Sequence, residues 1–197
     1  MTLDDILKRY SISIPKEKYT LEFFLENSEY KVYHIDFLPK TVECKKYDDV
    51  NVYYEEARHD SVLKKRYMYI EKRFVNVMIK LWLYGDVFVN IDDVYVPDRK
   101  IKKYIEKRHT KYVSLAVEKD TFDDFTEVKK IEEMDFYSIL STRDIANVIY
   151  YFEQLKLLVF TNWSCFTAVF LQEDSLELIK CIVASEGLFL RARGIDA

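Results

Sequence analysis

The most regular feature of the chain is a row of apolar side chains at Leu63, Tyr67, Ile70, Phe74, Val77, Leu81 and Tyr84, separated alternately by four and three residues. That spacing keeps all of them on one side of an α-helix. It predicts a long core helix whose outer face carries Lys64, Lys65, Lys72 and Lys80. Asp60 or Ser61 can cap its start, and Gly85 stands where a left-handed terminating residue is wanted.

Upstream, Thr2 with Asp5 has the form of a capping box opening a short helix through Leu3, Ile6, Leu7 and Tyr10, which Pro15 ends. Between residues 19 and 37 the apolar period reads as two, with the polar tetrad Glu26-Asn27-Ser28-Glu29 in the middle, and this predicts a β-hairpin. A further strand is expected over residues 50–54.

Downstream of the long helix, residues 87–91 read as a strand buried on both faces, extended or paired by 94–96. Asp98 can cap a short basic helix reaching Arg108, and residues 112–117 and 126–131 look like strands. Ser141-Thr142-Arg143-Asp144 reads as the start of a helix with Ile145, Val148, Ile149, Phe152 and Leu155 inward. Strands over 157–160 and 165–171, a helix from Asp174 or Ser175 to Ala184 ended by Gly187, and a last strand over 188–191 complete the reading. Hairpins and a few helices without strict alternation predict an α+β fold, a mainly antiparallel sheet packed against about four to five helices. With no composition break or linker, residues 1–197 are expected to form one domain.

Composition narrows the chemistry. Only 3 Gly and 3 Pro occur, so neither a dinucleotide fingerprint nor a phosphate-binding P-loop can be written, and Asp, Asn, Ser and Lys must form the turns. Cys44, Cys165 and Cys181 are widely spaced and form no CxxC pair, as expected of reduced thiols in a cytoplasmic protein. No apolar run approaches the length of a membrane span. Net charge is −4, which gives no global basic field for nucleic acid.

Candidate chemistry is sparse. Glu56-Ala57-Arg58-His59 is a single Glu-x-x-His half-motif, whereas carboxylate di-metal sites need it twice. No metal or other cofactor is expected. Pro97-Asp98, followed by Glu127-Val128-Lys129, resembles the Pro-Asp…Glu-x-Lys arrangement of the metal-dependent restriction-nuclease-like superfamily. That resemblance implies a cation held by Asp98 and Glu127, a water oriented by Lys129, and an upstream helical acid at Glu71. Acid-x-Lys also occurs at Glu43-Cys44-Lys45 and Asp98-Arg99-Lys100, as a chain with 32% charged residues would have by composition.

The segment Tyr47 to Glu56 differs in kind, because it interleaves aromatics with four acids and has no base. Tyrosines give contact area at low entropy cost and clustered carboxylates steer a basic partner. Asp48, Asp49, Tyr53, Tyr54, Glu55 and Glu56 are therefore the candidate partner-binding residues, with Asp92, Asp93, Asp123 and Asp124 as outlying acids. An acidic, tyrosine-rich chain without catalytic motifs resembles, in profile, the immunity proteins that neutralise toxins of bacterial competition systems. The resemblance implies a non-enzymatic inhibitor of a basic toxin such as a nuclease. A metal-dependent nuclease and a non-catalytic regulatory or structural subunit are the alternatives.

Overall fold

A computed structural model describes residues 1–15, 20–40, 44–117, 124–162 and 165–192, without the side chains of Cys44, Lys45, Asp48, Asp98, Val117, Asn162 and Cys165. In chain order the elements are α1 (Leu3–Lys8), α2 (Thr20–Glu26), β1 (Lys31–Asp36), α3 (Cys44–Val50), α4 (Tyr54–Ala57), α5 (Ser61–Trp82) and β2 (Val87–Val94). There follow α6 (Asp98–Ile101), a 3-10 helix (Lys107–Tyr112), α7 (Val113–Val117), β3 (Thr126–Glu127), α8 (Ile131–Thr142) and β4 (Ala146–Phe152). The last are β5 (Leu157–Asn162), β6 (Cys165–Phe170), a 3-10 turn (Glu173–Ser175), α9 (Leu176–Ser185) and β7 (Phe189–Ala192). The fold is α+β. Its sheet has seven strands in the order β3-β2-β4-β5-β6-β1-β7, every neighbouring pair antiparallel.

Both faces of the sheet are covered. One face carries Val89, Val148, Tyr150, Val159 and Ala168 against α5, α8 and α9. The other carries Ile149, Tyr151, Leu158 and Val169 against Ile6 and Leu7 of α1 and Phe24 of α2. β4 and β5 lie in the middle of the sheet and are apolar almost residue by residue, as strands buried from both sides must be.

The long helix forms as its spacing predicts. Asp60 Oδ1 caps it, accepting from Val62 N at 2.7 Å and Leu63 N at 2.9 Å. Gly85 has φ +151°, and a Cβ there would lie 2.0 Å from Gln154 Oε1. Tyr84 falls beyond the helix end and is exposed. The Thr2–Asp5 capping box, β2, the β5–β6 hairpin, α9 and β7 also match the sequence reading.

Several expectations are corrected. Residues 20–26 are helical rather than the first arm of a hairpin; Leu21, Phe24 and Leu25 sit at i, i+3 and i+4 and turn together towards the sheet. Residues 50–54 contain the end of α3 and the start of α4, not a strand. The basic helix after Asp98 stops at Ile101, and the chain re-enters helical turns only at Lys107. Residues 113–117 are α7, and β3 is two residues long before α8 begins at Ile131.

The largest correction concerns Ser141 to Asp144, which end a helix instead of starting one. Arg143 caps the C-terminus of α8, Asp144 takes φ +50°, and the chain enters β4. An apolar run buried on both faces has no clear period of its own, and here the sheet decides it.

Candidate functional site

Glu71 is the sole acid of α5 and lies on its inward side, between Tyr67 and Phe74. A carboxylate there must find a cationic partner or be protonated. It finds Arg143, whose Nε donates to Glu71 Oε1 at 2.7 Å and Nη2 to Oε2 at 2.8 Å. The two side chains retain 4% and 2% of their surface. Arg143 Nη2 also donates to Glu106 Oε1 at 2.6 Å, Nη1 donates to the Tyr104 carbonyl, and the guanidinium lies 4.6 Å from the centre of the Tyr54 ring.

The cluster extends through Glu106. Its other oxygen is 3.1 Å from His109 Nδ1, while His109 Nε2 is 3.0 Å from Asp135 Oδ2 on α8, which also pairs with Arg108 at 2.8 Å. A carboxylate at each ring nitrogen favours the imidazolium form of His109. Burial works against that charge, but the bonds to Asp135 and Glu106 outweigh it and raise the His109 pKa. Burial likewise pushes the Glu106 carboxyl up, yet bonds from His109 and Arg143 bring it down to about 2. Three acids thus face three bases in a closed lattice that pins the segment between α6 and α7 onto α5 and α8.

Two cavities flank the Glu71 side chain. A groove of about 620 Å³ runs between α5 (Met68, Lys72, Asn76) and α8 (Ile131, Glu132, Asp135), with Glu106 and Arg108 at one side. A smaller pocket of about 50 Å³, lined by Ile35, Asp36, Tyr47, Val52 and Phe166, lies on the other side. Asp36 there is held by Arg191.

The residues singled out by sequence disperse. Asp49 is exposed on α3, and the side chain of Asp48 lies outside the described residues. Tyr53 precedes α4, while Glu55 and Glu56 are exposed on it, Glu55 pairing with Arg58 at 3.0 Å. Tyr54 turns inward, under Arg143 and beside Tyr67 and Tyr104. Asp92 and Asp93 are exposed at the end of β2, Asp123 is outside the described residues, and Asp124 lies 3.8 Å from the amino terminus.

Of the nuclease-like set, Glu127 pairs across β2 with Phe88, near the strand's start, whereas Asp98 follows its far end at Val94. Lys129 lies 3.8 Å from Glu127, and Glu71 is bound to Arg143. Among the described residues no three potential ligand side chains converge as a metal site would require. Glu56 and His59 are both exposed, and it is Glu55 that approaches His59, at 3.9 Å.

The Glu71–Arg143–Glu106–His109–Asp135 cluster was not visible as a unit in the sequence. One signal existed, an acid on an otherwise apolar helical stripe, which predicts a buried cation without saying which. No protein-family model, curated protein or solved structure matches the chain. Among the described residues no helix is long and apolar enough to cross a membrane.

Proposed function

We propose that this chain acts by binding another protein, as an inhibitor set against a basic surface of its partner through the acids of α3 and α4. The observation that carries this reading is the anchoring of that acidic corner. Asp49, Glu55 and Glu56 are exposed, while the backbone beneath them is fixed by buried Val52 and Ala57, by Tyr54 under Arg143, and by Arg66 donating to the Val50 carbonyl. Carboxylates on an already ordered platform lose little further entropy when a partner docks. Tyr54 is then an anchor of the platform, and the contact set becomes Asp49, Tyr53, Glu55 and Glu56. The profile shared with immunity proteins supports a toxin as the partner.

The test uses an arginine-rich peptide as the probe. Affinity should fall at least about tenfold in Asp49→Lys/Glu55→Lys/Glu56→Lys, and its salt dependence should flatten. Equal affinity and an equal salt slope in the variant would overturn the reading.

A further inference from the structure

The smaller pocket beside Glu71 is walled by acids and aromatic rings. Asp36 of β1 and Glu71 of α5, both buried, are two of its lining residues. Five others are aromatic: Phe37 and Tyr47 with ring centres 5.8 Å apart, Phe74 and Phe166 at 5.0 Å, and Tyr67.

Both acids are ion-paired, Asp36 with Arg191 and Glu71 with Arg143. Yet the described residues that line the pocket include no Lys, Arg or His. Arg143 reaches instead to Glu106, which lines the groove on the opposite side. Each pair therefore turns its carboxylate towards the pocket and its guanidinium away, so two dipoles present their negative ends to one space. Aromatic walls add to this, because ring faces attract cations. A cation leaving water also needs acceptors. Asp36 accepts from Leu38 N at 3.0 Å and from Arg191, and a carboxylate can accept about four bonds.

Size and position narrow the occupant. At about 50 Å³ the pocket holds about three to five water-sized groups, which suits an ammonium with its last few methylenes. Its mouth is formed by Phe37, Tyr47, Asn51 and Ile70, which are half-buried, whereas the other lining residues are buried. Tyr47 and Asn51 flank the exposed Asp49, so the pocket opens beside the acidic corner of α3.

We propose that this pocket anchors a lysine side chain of the partner, its ammonium at the carboxylates of Asp36 and Glu71 and its methylenes among Phe37, Tyr47 and Ile70. Charge-assisted bonds in a desolvated pocket are what make one side chain dominate an interface. That the lysine belongs to the basic partner rests on the function proposed above; the affinity of the pocket for an alkylammonium group does not.

Butylammonium chloride, titrated into the full chain and followed by amide NMR, tests the pocket. Saturable shifts are expected at the amides of Phe37, Asn51 and Ile70, and butanol, which lacks the charge, should bind at least about tenfold more weakly. Ile70→Trp fills the mouth without altering a charge and should lower butylammonium affinity at least about tenfold. Asp36→Asn/Arg191→Gln removes one ion pair without stranding either member and should also weaken it. Thermal melting identifies the variants that fold. A lysine-rich peptide should compete with butylammonium, and the same peptide with norleucine for lysine should not. Butylammonium binding should persist in Asp49→Lys/Glu55→Lys/Glu56→Lys, so the acidic corner and the pocket fail separately. Absence of saturable shifts, equal affinity for butanol, wild-type affinity in both folded pocket variants, or a lysine peptide that does not compete would each overturn the proposal.

Discussion

Glu71 and Arg143 form a bidentate ion pair, 2.7 and 2.8 Å long, that joins the middle of α5 to the end of α8 in the protein interior. Seventy-two residues separate them in sequence. The pair fixes where α8 stops and where the segment carrying Glu106 and His109 lies, so its removal should be felt across the helical layer.

Glu71→Ala strands a buried guanidinium with Glu106 as its remaining carboxylate. A loss of about 3–5 kcal/mol in urea unfolding is expected, with Glu71→Met/Arg143→Met recovering much of it because neither charge is then left alone. A Glu71→Ala protein within about 1 kcal/mol of wild type would contradict this role.

Stability should depend on pH at both ends through the same cluster. The folded pKa of His109 is raised, so its contribution is complete below its unfolded value of about 6.5 and fades as pH climbs through the folded value. Glu106 is depressed from 4.5 to about 2, so its contribution is present above 4.5 and lost as pH falls towards about 2. The urea midpoint should therefore peak between these limits, and His109→Gln should flatten the alkaline limb and, by removing one of the bonds that hold Glu106 down, soften the acid limb as well. Parallel alkaline limbs in the two proteins would exclude His109 as its source.

Thr161 closes a buried hydroxyl chain where the β4–β5 ladder ends at Ile149 and Phe160. Its Oγ1 accepts from Val148 N at 2.8 Å and lies 3.1 Å from Ser141 Oγ, which is 2.9 Å from the Tyr150 hydroxyl. Thr161→Val keeps the shape and orphans the Val148 N–H, at an expected cost of about 1–3 kcal/mol. Thr161→Ser should cost clearly less, and equal losses in the two variants would point to packing instead.

At the start of α5 two residues could serve as the cap on sequence grounds, and the structure chooses Asp60. Asp60→Ala should lower stability by about 1 kcal/mol, while Asp60→Ser retains most of it and Ser61→Ala is nearly silent. The ranking is read from thermal melting at neutral pH.

The residues that could be read alone were those whose signal is local. The spacing from Leu63 to Leu81, the capping box at Thr2 and the turn before Leu188 each need only their own neighbours to form. Residues 20–26 and 142–155 misled for a common reason. Each contains apolar side chains at both two-residue and helical spacing, and their state depends on a surface contributed from elsewhere. Phe24 needs the outer face of the sheet, and β4 needs β2 and β5 beside it.

The same division holds for the chemistry. Sequence by itself determined the inventory: few glycines, no phosphate loop, an acidic run near residue 50, lysines along α5, and one carboxylate on an apolar stripe. Tertiary structure decided which charges meet. It brought Glu71, Glu106, His109, Asp135 and Arg143 from four places in the chain into one lattice, turned Tyr54 inward, paired Lys80 with Glu186, and left Lys64, Lys65 and Lys72 facing water. The reason is physical. Burial makes an unpaired charge costly, so the fold must pair its inward charges across long sequence separations, and no local pattern encodes that pairing.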